Sequence, residues 1–432
     1  MLAYSFYESD TRILQYTTAL TERGVTVDVI ALRKEGTPAF EVLNGVSVYR
    51  IQSRRVNERG QIAYVIRIFR FLLIAAFILT KKHFSKRYDV IHVHSVPDFL
   101  VFAALVPKLL GARLILDIHD ILPEFYASKF GVSSASRLFK LLVMTEKISS
   151  AFSDHVIIAN DLWHGRLISR SVSQDKCTTV RNYPDARLFC SRPAPHKNGT
   201  FLILYPGTLN MHQGLDVAIR AFAKVRPEMP NSEFHIYGEG PTKPALVQLT
   251  HDLGLNGRVI FHNLLPVRAI AEVMARADLA VVPKRASSSF GNEAASTKIM
   301  EFMSLGVPIV ASRTKIDTFY HDDSMVKFVE SENESELANA ILLLWRNPEL
   351  RQQLVINACG YVKQNNWDQK KLEYLSLVDS LVSARCRPAG SGRAEKHFVA
   401  SADHGTAAST SSERTPTSAA QLSPPGRCDL HG

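Results

Sequence analysis

Two glutamates, Glu293 and Glu301, stand with seven residues between them in the stretch from Ser287 to Ala311. Carboxylates at such a site can accept hydrogen bonds from the hydroxyls of a ribose or a sugar. The Ser/Gly/Asn-rich residues around Glu293 read as a polar loop after a strand over 278–283. Glu301 reads as helical, because Ile299, Met300, Phe302, Met303 and Leu305 include helix-like apolar spacings. Gly306 stops that helix, and 307–311 reads as a buried strand. A strand, a polar loop and a helix start leave backbone N–H groups unpaired, which suits an anion. On spacing alone, an ordinary surface pair of glutamates around a strand–helix turn is the simpler explanation.

Such a site needs a framework, and composition bounds it. The 432 residues suit two domains, each able to bury a core, and 46% hydrophobic with 21% charged residues is ordinary globular usage. The five cysteines (Cys177, Cys190, Cys359, Cys386 and Cys428) are odd in number and form no Cys-x-x-Cys pair. Neither a disulfide framework nor a zinc site is indicated, and a reducing, cytoplasmic compartment is expected. No signal peptide is read at the N-terminus, which has no basic start and no long apolar core. The net charge of +10 is uneven, with 25 Lys+Arg against 17 Asp+Glu in residues 1–190 and 20 against 20 in 191–383. No nucleic-acid module accompanies that charge, so an anionic membrane surface is the preferred partner over nucleic acid.

Along residues 1–190, strand-like runs at 2–6, 25–32, 46–52, 89–94, 113–117, 155–159 and 177–180 alternate with helical stretches. That rhythm predicts right-handed βαβ units and a mostly parallel sheet. The apolar run 62–80 is interrupted by Arg67 and Arg70, and its uncharged part, 71–79, falls well short of the roughly 20 residues a membrane-spanning helix needs. Cations at 81–87 follow it. Two readings stand, a helix packed on the sheet or one lying in the plane of an anionic membrane surface. A second α/β domain is expected after the Pro-containing segment 191–195. It has strands at 201–205, 233–237, 259–261, 279–282 and 307–311, and helices at 334–345, 348–364 and 368–382. The division expected is therefore 1–190, 191–365, a closing helix over 366–383, and a disordered Ala/Ser/Thr/Gly/Pro-rich tail over 384–432.

Two such domains leave a cleft at the carboxyl ends of both sheets. In the first domain His94, Asp98, His119, Asp120, Glu124 and Asn182 lie at strand ends. In the second, Gly207 to Gly214, Gly238, Gly240, His262, Lys284 and Arg285 do so. Each signal is weak alone, since a histidine after a strand is usually structural and Gly-x-Gly is a common turn. Their joint placement carries the argument.

The stretch from Glu293 through Glu301 to Gly306-Val307-Pro308-Ile309-Val310 resembles the signature of the retaining, nucleotide-sugar-dependent glycosyltransferases of family 4. Those enzymes have the GT-B fold, two Rossmann-like α/β domains facing across a cleft. Tyr205-Pro206-Gly207-Thr208-Leu209 is similar to the family's glycine-rich loop near the diphosphate. His235-Ile236-Tyr237-Gly238-Glu239-Gly240-Pro241 resembles its loop beside the nucleotide, and Asp117-Ile118-His119-Asp120 the segment whose histidine faces the donor sugar. The resemblance implies that Glu301 holds the ribose, Glu293 the sugar hydroxyls, and the amides near Ala295, Ser296 and Thr297 the diphosphate. Gly207, Thr208, Gly238, Gly240 and His262 join the donor side; His94, Asp120, Glu124 and Asn182 fall on the acceptor side.

Departures accompany the likeness. Thr208 and Gln213 occupy positions where the family has an Arg and a Lys that neutralise the departing diphosphate. Asn182-Tyr183 replaces a common Asn-Gly, and no Gly-Gly pair lies near 8–12. Arg285 is the first expected substitute cation, ahead of Lys284 and Lys298. No Asp-x-Asp lies in the cleft segments, so neither a metal nor a cofactor is expected. The implied reaction is hexosyl transfer from a nucleotide-diphosphate sugar to an envelope or exopolysaccharide glycan, or to a lipid-linked saccharide. A nucleotide-sugar 2-epimerase of the same fold remains open. So does a non-catalytic, membrane-bound nucleotide-sugar scaffold, which the Thr208 and Gln213 departures favour.

Overall fold

Parallel strands buried on both faces read as continuous apolar runs, and the chain supplies two sets of them. The computed structural model describes residues 1–54, 61–131, 133–190, 199–287 and 289–386. The linker segment 191–195 and residues 387–432 of the expected tail lie outside the described residues, whereas residues 384–386, expected in that tail, continue the last helix.

The first sheet has eight strands in the order Phe40–Leu43, Val46–Ser53, Val27–Arg33, Leu2–Ala3, Val90–His94, Arg113–Ile118, His155–Ile158 and Cys177–Thr179. All neighbours run parallel except Phe40–Leu43, an edge hairpin that sequence reading missed. Its two strands meet at Asn44-Gly45, where both residues have positive φ, the geometry a tight hairpin turn requires. The second sheet is wholly parallel, in the order Val259–His262, Ser232–Tyr237, Phe201–Pro206, Leu279–Val282, Ile309–Ser312 and Lys327–Val329. The first expected strand, 2–6, shortens to Leu2–Ala3, and a 3-10 turn over Tyr7–Ser9 leads into the helix Thr11–Glu22. Asp10 caps that helix by accepting from the Ile13 amide.

The final helix, Trp367–Cys386, returns to the first sheet. Tyr374 and Leu375 are buried with Ala3, Ile13 and Tyr16 in one apolar cluster. Residues Met1–Cys386 thus form one compact unit in which the last helix fastens the two sheets' ends of the chain together.

Candidate active site in the cavity between the sheets

At the carboxyl ends of the strands a cavity of about 560 Å³ draws its walls from both sheets. The first domain contributes the start of the Thr11–Glu22 helix, His119 and Asn182; the second contributes Gly207, Tyr237, Thr297, Lys298 and Glu301. A hollow of about 60 Å³, lined by His119, Asp120, Asn182 and residues 294–297 among others, lies against it.

The second wall is a meeting of loops. Gly207 has φ +131°, and a Cβ there would stand 2.5 Å from Lys298 Cε and 3.1 Å from its Nζ. Only glycine allows that lysine to lie against the loop. Cβ atoms at Gly238 and Gly240 would meet the carbonyls of Gly207 and Leu209 at 1.8 and 2.2 Å. These two glycines therefore hold the Gly207 loop and do not line the cavity. Tyr237 lines it, and His262 stacks on Tyr237 at 4.1 Å and 8°, making a flat aromatic shelf.

The helix Thr297–Leu305 presents Thr297, Lys298 and Glu301 to the cavity and ends at Gly306, φ +71°. Its flanking Ser296 Oγ is buried without a hydrogen-bond partner among the described residues. Lys298 forms no ion pair or hydrogen bond among them either, not even with Glu301 one turn on; its Nζ lies 5.3 Å from the Tyr205 ring centroid. Burial lowers the Lys298 ammonium to about 8, against an upward pull from Glu301 and with a further downward push from Lys284. Burial raises Glu301, and Lys298 and the Thr297 hydroxyl moderate that rise.

On the first wall one buried charge pair is matched internally. Arg12 grips Asp117 with two hydrogen bonds, Nε to Oδ2 at 2.8 Å and Nη2 to Oδ1 at 2.7 Å, and donates through Nη1 to the Val180 carbonyl and Asn182 Oδ1. Burial alone would raise the Asp117 carboxyl, but Arg12 and His119 outweigh it and hold it well below the usual range. His119 is tied back through Nε2, 3.2 Å from His94 Nδ1 and 3.5 Å from Asp117 Oδ2, which leaves Nδ1 as the ring nitrogen outside these contacts. His94 is fully enclosed behind it, lowered far below a normal histidine by burial and by neighbouring His92. His92, His94 and Asp117 bring three potential metal-ligand atoms within 4.8 Å of one another. Both Asp117 oxygens are already taken by the Arg12 guanidinium, whose positive charge would oppose a cation there.

Several expected residues are held elsewhere. Glu293 does not sit in an open loop but ends the short helix Ser289–Glu293, where Arg166 Nη2 donates to it at 2.5 Å and Lys315 lies at 3.4 Å. Glu124 is bound by Arg166 and Arg170, and burial, which would raise it, loses to those two cations. Neither glutamate lines the described cavities. Lys284 is buried, with Nζ 3.0 Å from Asp317 Oδ2 and 2.7 Å from the Ala294 carbonyl. Arg285 donates to Asp216 at 2.6 Å, to Glu332 and to the Met211 carbonyl, bracing the 207–214 loop from outside the cavity. Thr208 is exposed, and Gln213 Oε1 lies 3.0 Å from the Tyr205 hydroxyl. Arg54 and Arg181 reach the cavity walls with their guanidiniums over tyrosine rings. The cation beside Gly207 is Lys298. Sequence reasoning missed Arg12, which nothing in local spacing marks, and placed Tyr237 only within the loop beside the nucleotide.

Residues 9–183 match the model of the glycosyl transferase 4-like domain, and residues 190–359 match that of the glycosyl transferases group 1. The chain belongs to the family-4 glycosyltransferases. Among curated relatives of this family-4 chain, the alpha-D-kanosaminyltransferase of Streptomyces kanamyceticus is 27% identical over 158 residues, 36% of this chain and 39% of that protein. The putative colanic acid biosynthesis glycosyltransferase WcaL of Escherichia coli is 25% identical, over 37% of this chain and 39% of its own length. The match thus spans about two-fifths of these relatives. An uncharacterized glycosyltransferase of Methanocaldococcus jannaschii is 23% identical over 83% of this chain and 90% of its own. Two solved structures share the GT-B architecture. Sucrose-phosphate synthase from Thermosynechococcus elongatus has a TM-score of 0.71 at 18% identity, covering 89% of this chain and 99% of that one. Anabaena HepE, solved with UDP and glucose, has a TM-score of 0.66 at 17% identity, covering 88% and 98%.

Proposed function

We propose that this family-4 chain transfers a hexosyl group, with retention and without a metal, from a nucleotide-diphosphate sugar to a glycan or lipid-linked saccharide of the cell envelope, in the cytoplasm. The observation that carries the reading is Lys298, a cation with no ion pair or hydrogen bond among the described residues, held against Gly207 in the cavity that also holds Glu301. A diphosphate laid between the Gly207 loop and the start of the Thr297–Leu305 helix meets amide N–H groups, the helix dipole and one ammonium. Glu301 then accepts from the ribose hydroxyls, and the Tyr237–His262 shelf lies on the side for a base. The sugar extends toward His119.

As the bond from the anomeric carbon to the diphosphate breaks, negative charge grows on the leaving oxygens. Lys298 meets that charge, the part Thr208 and Gln213 cannot play. A group preset for developing charge lowers the barrier more than it tightens ground-state binding. HepE's complex with UDP supports the donor class, and WcaL, a putative colanic acid biosynthesis glycosyltransferase, supports an envelope acceptor. Glu293 would reach the sugar only if it exchanged Arg166 for a hydroxyl partner.

The test is donor turnover with purified full-length protein and UDP- and GDP-sugars. Sugar transfer or slow donor hydrolysis with an unchanged anomeric configuration supports the reading. Tight donor binding with no turnover would replace it with the non-catalytic scaffold, and isomerised donor with the epimerase.

A further inference from the structure

The helix Gln61–Lys86 is apolar on two opposite faces. Ile68, Phe71, Ala75 and Leu79 are buried in the first domain's core. Ile66, Phe69, Leu73 and Phe77, on the opposite stripe at the same helical spacing, face solvent, with Phe77 70% exposed. The apolar surface continues past this helix. It packs beside the Leu105–Leu109 helix, whose Leu109 is 78% exposed, and Phe69 stacks on Phe99 of the 3-10 segment Asp98–Ala104 at 5.4 Å. That segment reaches the helix Arg137–Phe152 through Phe102 and Phe152, 5.1 Å apart. Leu141, Met144 and Ile148 of that helix are more than half exposed. A continuous apolar face of three helices on one domain exceeds the scattered exposure normal for a soluble surface.

Its charges have one sign. Arg70, Lys81, Arg137, Lys140 and Lys147 are exposed on these helices, and none of them is in an ion pair among the described residues. The three helices carry a single acid, Glu146, which points inward to Arg170 and is 1% exposed. A second copy of the chain docking face to face would set these cations against one another with no acid to compensate. A surface of anionic headgroups over hydrocarbon matches both properties at once.

We propose that this three-helix face docks the first domain on an anionic lipid bilayer. The near end of the Gln61–Lys86 helix lies beside the cavity, since its Tyr64 ring is 6.4 Å from Tyr4, a cavity-lining residue. A docked enzyme therefore holds its cavity close to the bilayer, where a lipid-anchored acceptor resides. That last clause rests on the transferase reading; docking itself does not.

The test is flotation of full-length protein with phosphatidylglycerol-containing vesicles and with pure phosphatidylcholine vesicles. Three proteins are compared: the unaltered chain, Leu73→Glu/Phe77→Glu, and Lys140→Glu/Lys147→Glu. These side chains are exposed, so the variants should keep their melting temperature, checked by circular dichroism. The expected result is binding to the anionic vesicles only, weakened at about 0.5 M salt, with both variants losing roughly tenfold or more. Absence of vesicle binding, or binding that both variants retain, overturns the proposal. So does a dimer in light scattering that Leu73→Glu/Phe77→Glu splits without vesicle binding ever appearing. Donor turnover in detergent-free buffer is read in parallel; its loss would count against the transferase and not against docking.

Discussion

The two walls of the cavity handle charge in opposite ways. On the first, Arg12 and Asp117 neutralise each other, and behind it, outside the cavity, Glu124 is closed by Arg166 and Arg170. On the second, Lys298 has no ion pair or hydrogen bond and Ser296 Oγ no hydrogen-bond partner among the described residues, and burial raises the Glu301 carboxyl. Buried polar groups normally find partners inside the protein. Tyr4 Oη and His94 Nε2 on the first wall are also buried without hydrogen-bond partners among the described residues, so the contrast lies in the cations: Arg12 is closed by Asp117, whereas Lys298 on the second wall has no ion pair. The first wall therefore sets position, and the second carries the interaction with the diphosphate.

Substitutions can break that contrast. Arg12→Met should have the largest effect on stability, because it strands the fully buried Asp117 carboxylate. Losing one partner of a buried pair costs about 3–5 kcal/mol, readable as a fall in denaturation midpoint. If Arg12→Met melts normally, the first wall is not the self-contained frame described.

Lys298→Met should do the reverse. Turnover should fall by roughly 10²–10³-fold with a smaller loss of donor affinity, while the melting temperature holds because no ion pair or hydrogen bond is lost. Gln213→Lys in that background should restore part of the turnover, since it returns a cation to the loop. A comparable loss of stability and activity would place Lys298 with the structural charges.

Arg285→Ala is the mildest case. Its ion pairs with Asp216 and Glu332 are partly exposed, so about 1 kcal/mol of stability at most is expected to go. Turnover should change by less than about threefold. A hundredfold drop in steady-state assays would restore Arg285 as the phosphate cation and remove Lys298.

Much of this was legible in the sequence. Apolar runs separated by helical stretches read as two parallel sheets, and Gly306 ends its helix in the left-handed conformation that a stop requires. Local patterns carry local structure. Partner choice over long sequence distance is not local, and there the reading of charges parted from the structure. Arg285 looked free at a strand end, yet its acids come from Asp216 and Glu332, 69 and 47 residues away. Glu293 looked open in a polar loop, yet Arg166 reaches it across 127 residues. Lys298 ranked behind Arg285 as a substitute cation, yet it is the one that lies against the Gly207 loop in the cavity. The edge strand Phe40–Leu43 escaped notice because its burial alternates weakly and it lies outside the βαβ rhythm.

The most direct measurement of the central claim is donor affinity against pH by calorimetry. Lys298 titrates near 8 in the free protein, below the usual lysine value, so it is charged below that pH and neutral above it. If the charged form is the one that holds the diphosphate, the donor dissociation constant should be flat below pH 8. Above it the constant should rise toward about tenfold per pH unit, with proton uptake on binding near the midpoint. Lys298→Met should bind weakly and show no such rise. An unaltered protein whose donor affinity is level from pH 7 to 9.5, or a Lys298→Met variant that keeps the same rise, would contradict the account.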